Sequence, residues 1–175
     1  MTQPSLLESL QWQLRVGWSL LAEHHLPRMT DESCLWLPHP SAHAVRLNAD
    51  GEWVGDWHEP EPGVPWHATV GWQTWHLQGW LTGAIAEARQ LDVLAQEKIR
   101  WPGNADATRI ELTRLAEEWS TVLVDAAGWD LDRSTTFPWP DPRSLHRLLG
   151  WVNIELMKNA AEIGVTLNLA LAAHR

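Results

Sequence analysis

The C-terminal segment of the chain carries one long helical pattern, and this pattern constrains the fold most. Asp141 can cap a helix, Pro142 suits its first turn, and no later proline interrupts the pattern before about Ala172. With about 3.6 residues per turn, one face of this helix collects eight apolar side chains: Leu145, Leu148, Leu149, Val152, Leu156, Ile163, Leu167 and Ala170. The pattern predicts the last helix of a helical bundle.

Three further segments have helical spacing. The first covers about residues 5–26, and the second covers about residues 69–89. The third begins at a cap formed by Asn104 or Asp106 and ends at Gly128. Four such helices predict an all-α, four-helix bundle that forms a single domain over residues 1–175.

The connection between helices one and two is long and rich in proline, which rules out a continuous helix over residues 27–68. A turn signal at 48–51 separates residues 44–47 from residues 52–54, and these flanks are predicted to pair as a short β-hairpin. Thr30 can open one short helical turn. The sequence therefore predicts a long crossover that carries a hairpin.

Charge and composition exclude several classes of function. The net charge is -9 and the 13 basic residues form no run, which argues against a nucleic-acid partner. Cys34 is the only cysteine, so neither an intramolecular disulfide nor a cysteine-based zinc site can form. We predict that Cys34 packs in the core. Neither a signal-peptide pattern nor an apolar run long enough to span a membrane is present. These observations predict a cytoplasmic protein with no membrane partner.

Two polar clusters on predicted helices are candidates for a site. The stretch 71–80 places His76 among three of the fourteen tryptophans of the chain. On the last helix, Glu155 and Asn159 are four residues apart, so they project from one face, and Glu162 follows one turn later. Inward side chains on facing helices can hold a metal, so we predict a divalent-metal site from His76, Glu155, Asn159 and Glu162.

A second interpretation of the same residues needs no metal. A histidine on an apolar helix face is commonly a hydrogen-bonded core residue. The two glutamates can equally pair with Lys158 or Arg147. The residues alone leave both interpretations open.

Short motifs along nearly the whole chain resemble the DinB-like superfamily of four-helix bundles, which includes mycothiol-dependent maleylpyruvate isomerases and bacterial thiol transferases. The motifs are Met29-Thr30-Asp31-Glu32, Leu35-Trp36-Leu37-Pro38, Val45-Arg46, Asp50-Gly51-Glu52-Trp53, Thr69-Val70-Gly71-Trp72, Thr74-Trp75-His76, Trp151-Val152-Asn153-Ile154-Glu155-Leu156-Met157 and Ala161-Glu162-Ile163-Gly164.

This resemblance implies a long first crossover, a homodimer and a divalent metal, with zinc or nickel as the expected ion. His76 matches the ligand that the family takes from its second helix, and Glu155 matches one from its last helix. Asn159 stands where the family has histidine, and Glu162 is a candidate replacement. The implied chemistry is attack by a metal-stabilised low-molecular-weight thiolate on a small electrophilic substrate.

Three functions remain open at this point. The first is a divalent-metal-dependent thiol transferase or a related enzyme. The second is a metal-free protein that binds a small molecule on the same scaffold, its metal site having been lost at Asn159. The third is a structural homodimer.

Overall fold

The structure is a computed structural model that describes residues 5–57 and 67–173, and it is mostly helical. The helices are α1 (Leu6–His24), α2 (Asp31–Leu35), α3 (Val70–Ala88), α4 (Ala105–Asp125) and α5 (Leu145–Ala173). The strands are β1 (Val45–Leu47), β2 (Trp53–Gly55), β3 (Ser134–Thr135) and β4 (Arg143–Ser144). Single 3₁₀ turns cover Leu26–Arg28, Gln96–Lys98 and Ala126–Gly128.

Each long helix packs against two others. Helix α5 contacts both α1 and α3, and α4 contacts the same two helices from the other side. Leucine, tryptophan and alanine side chains from all four helices form one buried core; its largest fully buried members include Trp75, Trp119, Leu148 and Leu156. No helix of the described ranges is long and apolar enough to cross a membrane.

Local sequence explains where most of the helices begin. Ser5 forms a capping box with Glu8, and the Thr69 hydroxyl accepts a hydrogen bond from the backbone N–H of Trp72. The Asn104 side chain accepts from the N–H of Ala107, which confirms the predicted cap of the third long helix.

The predicted start of the last helix at Asp141 is wrong. Arg143 and Ser144 instead form β4, which pairs antiparallel with β3. The N–H groups of Leu145 and His146 donate to the carbonyls of Arg133 and Leu131. Because these carbonyls satisfy the first turn of α5, the helix needs no side-chain cap.

The predicted hairpin in the crossover is confirmed, with β1 and β2 antiparallel around the turn at Asn48–Gly51. The hairpin lies on α3 so closely that a Cβ added at Gly55 would collide with the Trp75 ring. The Trp72 indole N–H donates to the Asp56 carbonyl at 2.7 Å. These contacts hold the crossover against the N-terminal half of α3. The part of the predicted crossover at 58–66 lies outside the described residues.

Candidate functional site

His76 lies on α3 and is surrounded by indole rings. Trp72 stacks on the imidazole, with ring centroids 4.7 Å apart and an interplanar angle of 14°. Trp57, from the end of the hairpin, lies 6.1 Å away, and Trp80 meets the imidazole edge-on at 5.5 Å. This apolar environment disfavours a charged imidazole.

A hydrogen bond from Trp80 determines which nitrogen of the neutral His76 ring carries the proton. The Trp80 indole N–H donates to His76 Nε2 at 2.6 Å. An indole nitrogen only donates, so Nε2 must carry the lone pair, and in the neutral ring the proton therefore lies on Nδ1. Burial, and to a smaller extent the nearby Lys158 ammonium, lower the pKa of His76 to about 4. At neutral pH, His76 is an uncharged ring with an N–H at Nδ1.

That Nδ1 atom is buried and has no partner among the described residues. A buried polar group without a partner costs about 1–3 kcal/mol, which is why most such groups are paired. His76 thus offers a donor that the described part of the protein does not use.

The facing part of α5 offers a complementary acceptor. Asn159 is fully buried, and its Nδ2 donates to the Glu155 carbonyl at 2.8 Å and to Glu155 Oε2 at 3.4 Å. Its Oδ1 is buried and has no partner in the described ranges. Glu155 Oε2 also pairs with Lys158 Nζ at 2.8 Å, which confirms the predicted Glu155–Lys158 pairing.

Two contacts fix the register between α3 and α5. Gln73 Nε2 donates to Thr166 Oγ1 at 3.0 Å, and the Trp80 and Trp151 rings meet at 4.9 Å. The two helices are therefore antiparallel, and His76 and Asn159 occupy the turns between these contacts. The structure brings three of the predicted site residues, His76, Glu155 and Asn159, to the same stretch of the α3–α5 interface.

Glu162 lies apart from that polar group. It lines a cleft with Gln73 and Thr166, one turn farther along α5. Glu162 therefore lies beside a different set of side chains from the other three predicted residues.

The side chains as arranged do not fit a divalent metal. The Nε2 lone pair of His76 is occupied by the Trp80 N–H, and Nδ1 carries the proton, so the ring has no free lone pair. Lys158 neutralises the Glu155 carboxylate, and the nitrogen of Asn159 acts as a donor. Within residues 5–57 and 67–173, no three His, Cys, Asp or Glu side chains are grouped so as to hold a metal. The metal site remains a sequence-based prediction.

Cys34 cannot supply a nucleophile at neutral pH. Its side chain is fully buried, and burial, together with the Asp31 carboxylate, raises the pKa of the thiol to about 12. The thiol is therefore protonated. Packing is the role that the structure supports for this residue.

Sequence analysis missed one residue of the site, Trp80, and one residue beside it, Gln73. Trp80 follows His76 by four residues, so the helical spacing itself could have indicated that the two rings meet. Gln73 precedes His76 by three residues, and its amide oxygen is also buried without a partner among the described residues. A search for polar residues at i−3 and i+4 around His76 would have found both.

Comparisons with protein-family models, curated proteins and solved structures return no match for this chain. The DinB-like resemblance is therefore supported by the short sequence motifs alone. The geometry of the α3–α5 interface is the stronger basis for assigning a function.

Proposed function

We propose that this chain is a metal-free small-molecule-binding protein built on a DinB-like four-helix bundle of α1, α3, α4 and α5. One observation carries the proposal: the Trp80 N–H donates to His76 Nε2, so the buried and unpartnered Nδ1 is a hydrogen-bond donor. This state suits recognition of a neutral polar group and leaves the ring with no lone pair for a metal.

The chemistry of the site defines the class of ligand. His76 Nδ1–H requires an acceptor, and Asn159 Oδ1 requires a donor. A hydroxyl group or a primary carboxamide can supply both. Since each unpaired group costs about 1–3 kcal/mol, a ligand that pairs both recovers part of that cost on binding. Nearby indole rings favour a flat or apolar body for the rest of the ligand.

Calorimetric titration of chelator-treated, untagged protein tests this proposal. Benzamide and benzyl alcohol serve as probes, and toluene serves as the isostere that lacks the polar group. We expect the polar probes to bind at least about tenfold more tightly than toluene, and Asn159→Leu to abolish this preference. Equal binding of toluene, or full preference in Asn159→Leu, would overturn the proposal.

Metal-dependent thiol transfer is the second candidate, and the neutral state of His76 favours it because metals bind the uncharged imidazole. It requires the imidazole to release the Trp80 N–H. The residues that would then hold the ion are His76, Glu155 and Asn159, whereas Glu162, the predicted fourth ligand, lies one turn farther along α5. Elemental analysis of untagged wild-type protein distinguishes the two candidates, since stoichiometric zinc or nickel supports this one.

We also propose that the protein forms a homodimer through the outer face of α1 and α5. A groove of about 630 Å³ lies between these helices, beside Trp12 and Ile154, which are 59% and 66% exposed. A twofold contact uses the same surface on both copies, and exposed side chains next to a groove can make such a surface complementary to itself. Lys158 is the one charged side chain among the described residues that line the groove.

Light scattering after size exclusion measures the oligomeric state. Trp12→Glu should yield a monomer, whereas Leu91→Glu, at a site that is 62% exposed and outside the groove, should leave the dimer intact. A wild-type monomer at all accessible concentrations would contradict the homodimer.

A further inference from the structure

A second cleft, of about 420 Å³, lies where the crossover meets α3 and α5. Pro38 from the crossover and Val165 and Leu169 from α5 supply apolar walls. Gln73, Thr166, Glu162 and His67 supply polar side chains. The atoms that define this cleft differ from those of the His76–Asn159 site, so the inference drawn from it stands apart from the proposed function.

Gln73, which lines this cleft, has a side-chain oxygen that no described residue uses. Its side chain is only 4% exposed, and its Nε2 donates to Thr166 Oγ1 at 3.0 Å. With the nitrogen used in this way, the amide oxygen is the free end. This oxygen is buried and has no partner among the described residues. A buried amide whose nitrogen alone is hydrogen-bonded keeps an oxygen that accepts a hydrogen bond from a donor group.

Glu162 adds negative charge to the same cleft. It is partly buried, and the one other ionisable side chain among the described residues that line the cleft is that of His67. The cleft therefore combines a carboxylate and an amide oxygen, both of which accept hydrogen bonds. One carboxylate and one amide fall well short of the six or more oxygen ligands that Ca²⁺ or Mg²⁺ requires, whereas an ammonium group needs only a few acceptors.

We propose that this cleft binds a primary organic amine in its protonated form. The ammonium group donates to Gln73 Oε1 and to the Glu162 carboxylate. Its apolar body lies along Val165, Leu169 and Pro38. The apolar walls select an alkyl- or arylalkylammonium over free ammonium, and the charge of Glu162 selects it over a neutral alcohol of the same shape.

Calorimetry with three matched probes tests the proposal. These are 2-phenylethylamine, which is protonated at pH 7, the neutral 2-phenylethanol and the anionic 3-phenylpropanoate. We expect the amine to bind at least about tenfold more tightly than the alcohol, and the carboxylate not to bind. Equal affinity for amine and alcohol would overturn the proposal. Preference for the carboxylate would also overturn it, since the Gln73 amide would then present its N–H.

Two variants locate the binding site. Glu162→Gln should weaken amine binding at least about tenfold, whereas Glu23→Gln, the same change at an exposed position of α1, should leave it unchanged. Val165→Lys places a cation at the rim, at a position that is 63% exposed, and should also abolish amine binding. Ile110→Lys, on exposed α4 surface, is its control. Full affinity in both Glu162→Gln and Val165→Lys would exclude the cleft as the site.

Discussion

Two buried asparagines on α5, six residues apart, have opposite environments. Asn153 accepts from the Trp119 indole N–H at 3.2 Å through Oδ1 and donates to the Leu10 carbonyl at 2.8 Å through Nδ2. Asn159 uses only Nδ2, toward Glu155, and leaves Oδ1 without a partner in the described ranges. The Asn153 amide forms hydrogen bonds through both its oxygen and its nitrogen and connects three helices. The Asn159 amide forms them through its nitrogen only.

The comparison separates a structural polar residue from a candidate for binding. Both amides are buried, at 5% and 0% exposure, so burial does not distinguish them. The difference is in the partners: the protein itself satisfies Asn153 at both ends, while Asn159 retains an acceptor for something else. Four measurements test this distinction.

The largest effect is expected from Asn153→Leu. The change leaves the fully buried Trp119 N–H without an acceptor and removes the bond to Leu10. We expect the free energy of unfolding to fall by about 2–4 kcal/mol in chemical denaturation. In a Trp119→Phe background the same substitution should cost about 1 kcal/mol less, because no indole N–H remains. A cost below about 1 kcal/mol in the wild-type background would contradict the structural role.

Lowering the pH should have a comparable effect on stability through the protonation of His76. Its folded pKa of about 4 lies below the ordinary value of about 6.5, so between these values the unfolded chain binds a proton that the folded protein does not. His76 therefore makes its full contribution to stability above about pH 6.5. As the pH drops toward 4, the free energy of unfolding falls by about 3 kcal/mol. His76→Gln lacks this contribution, and denaturation of both proteins at several pH values isolates it. Parallel pH profiles would show that His76 titrates normally.

A smaller effect is expected from Trp80→Phe. Loss of the indole N–H should cost about 1 kcal/mol and free the Nε2 lone pair of His76. Long-range ¹H–¹⁵N spectra should show only the Nδ1–H form in the wild-type protein and a mixture in the variant. Trp151→Phe is the matched control, because Trp151 contacts Trp80 but makes no hydrogen bond to His76. A wild-type ring protonated at Nε2 would refute the hydrogen bond on which the proposed function depends.

The smallest effect on stability is expected from Asn159→Leu. The substitution removes the bonds to Glu155 but also removes an unpaired buried oxygen, so the two changes offset each other. We expect the free energy of unfolding to change by less than about 1 kcal/mol, while the preference for polar probes is lost. A destabilisation as large as that of Asn153→Leu would show that Asn159, like Asn153, stabilises the fold rather than binding a ligand.

Much of the fold could be predicted because it depends on local patterns. Apolar periodicity located the four long helices, and the turn at Asn48–Gly51 located the first hairpin. The start of α5 could not be read from Asp141–Pro142, since the carbonyls that satisfy its first turn belong to Leu131 and Arg133 in a preceding loop. That contact depends on tertiary packing, which no local pattern encodes.

Part of the site could also be predicted, because it depends on the helical periodicity of the sequence. Helical phase placed His76, Glu155 and Asn159 at one interface. The sequence could not show which nitrogen of His76 is free, because this depends on the rotamer of Trp80. Nor could it distinguish Asn153 from Asn159, since the distinction depends on Trp119 and Leu10 in other helices.

The rings around His76 also have an optical consequence. Trp57, Trp72, Trp75 and Trp80 each contact His76 or another of these indoles, and Trp80 continues the series to Trp151 and Trp139. At such short separations, excitation energy passes between indoles before emission. A quencher beside one indole can therefore lower the fluorescence of all of them. The imidazole stacked on Trp72 becomes such a quencher when it is protonated. The fluorescence of these six indoles should therefore contain a component that reports the charge of His76, although eight other tryptophans also absorb light.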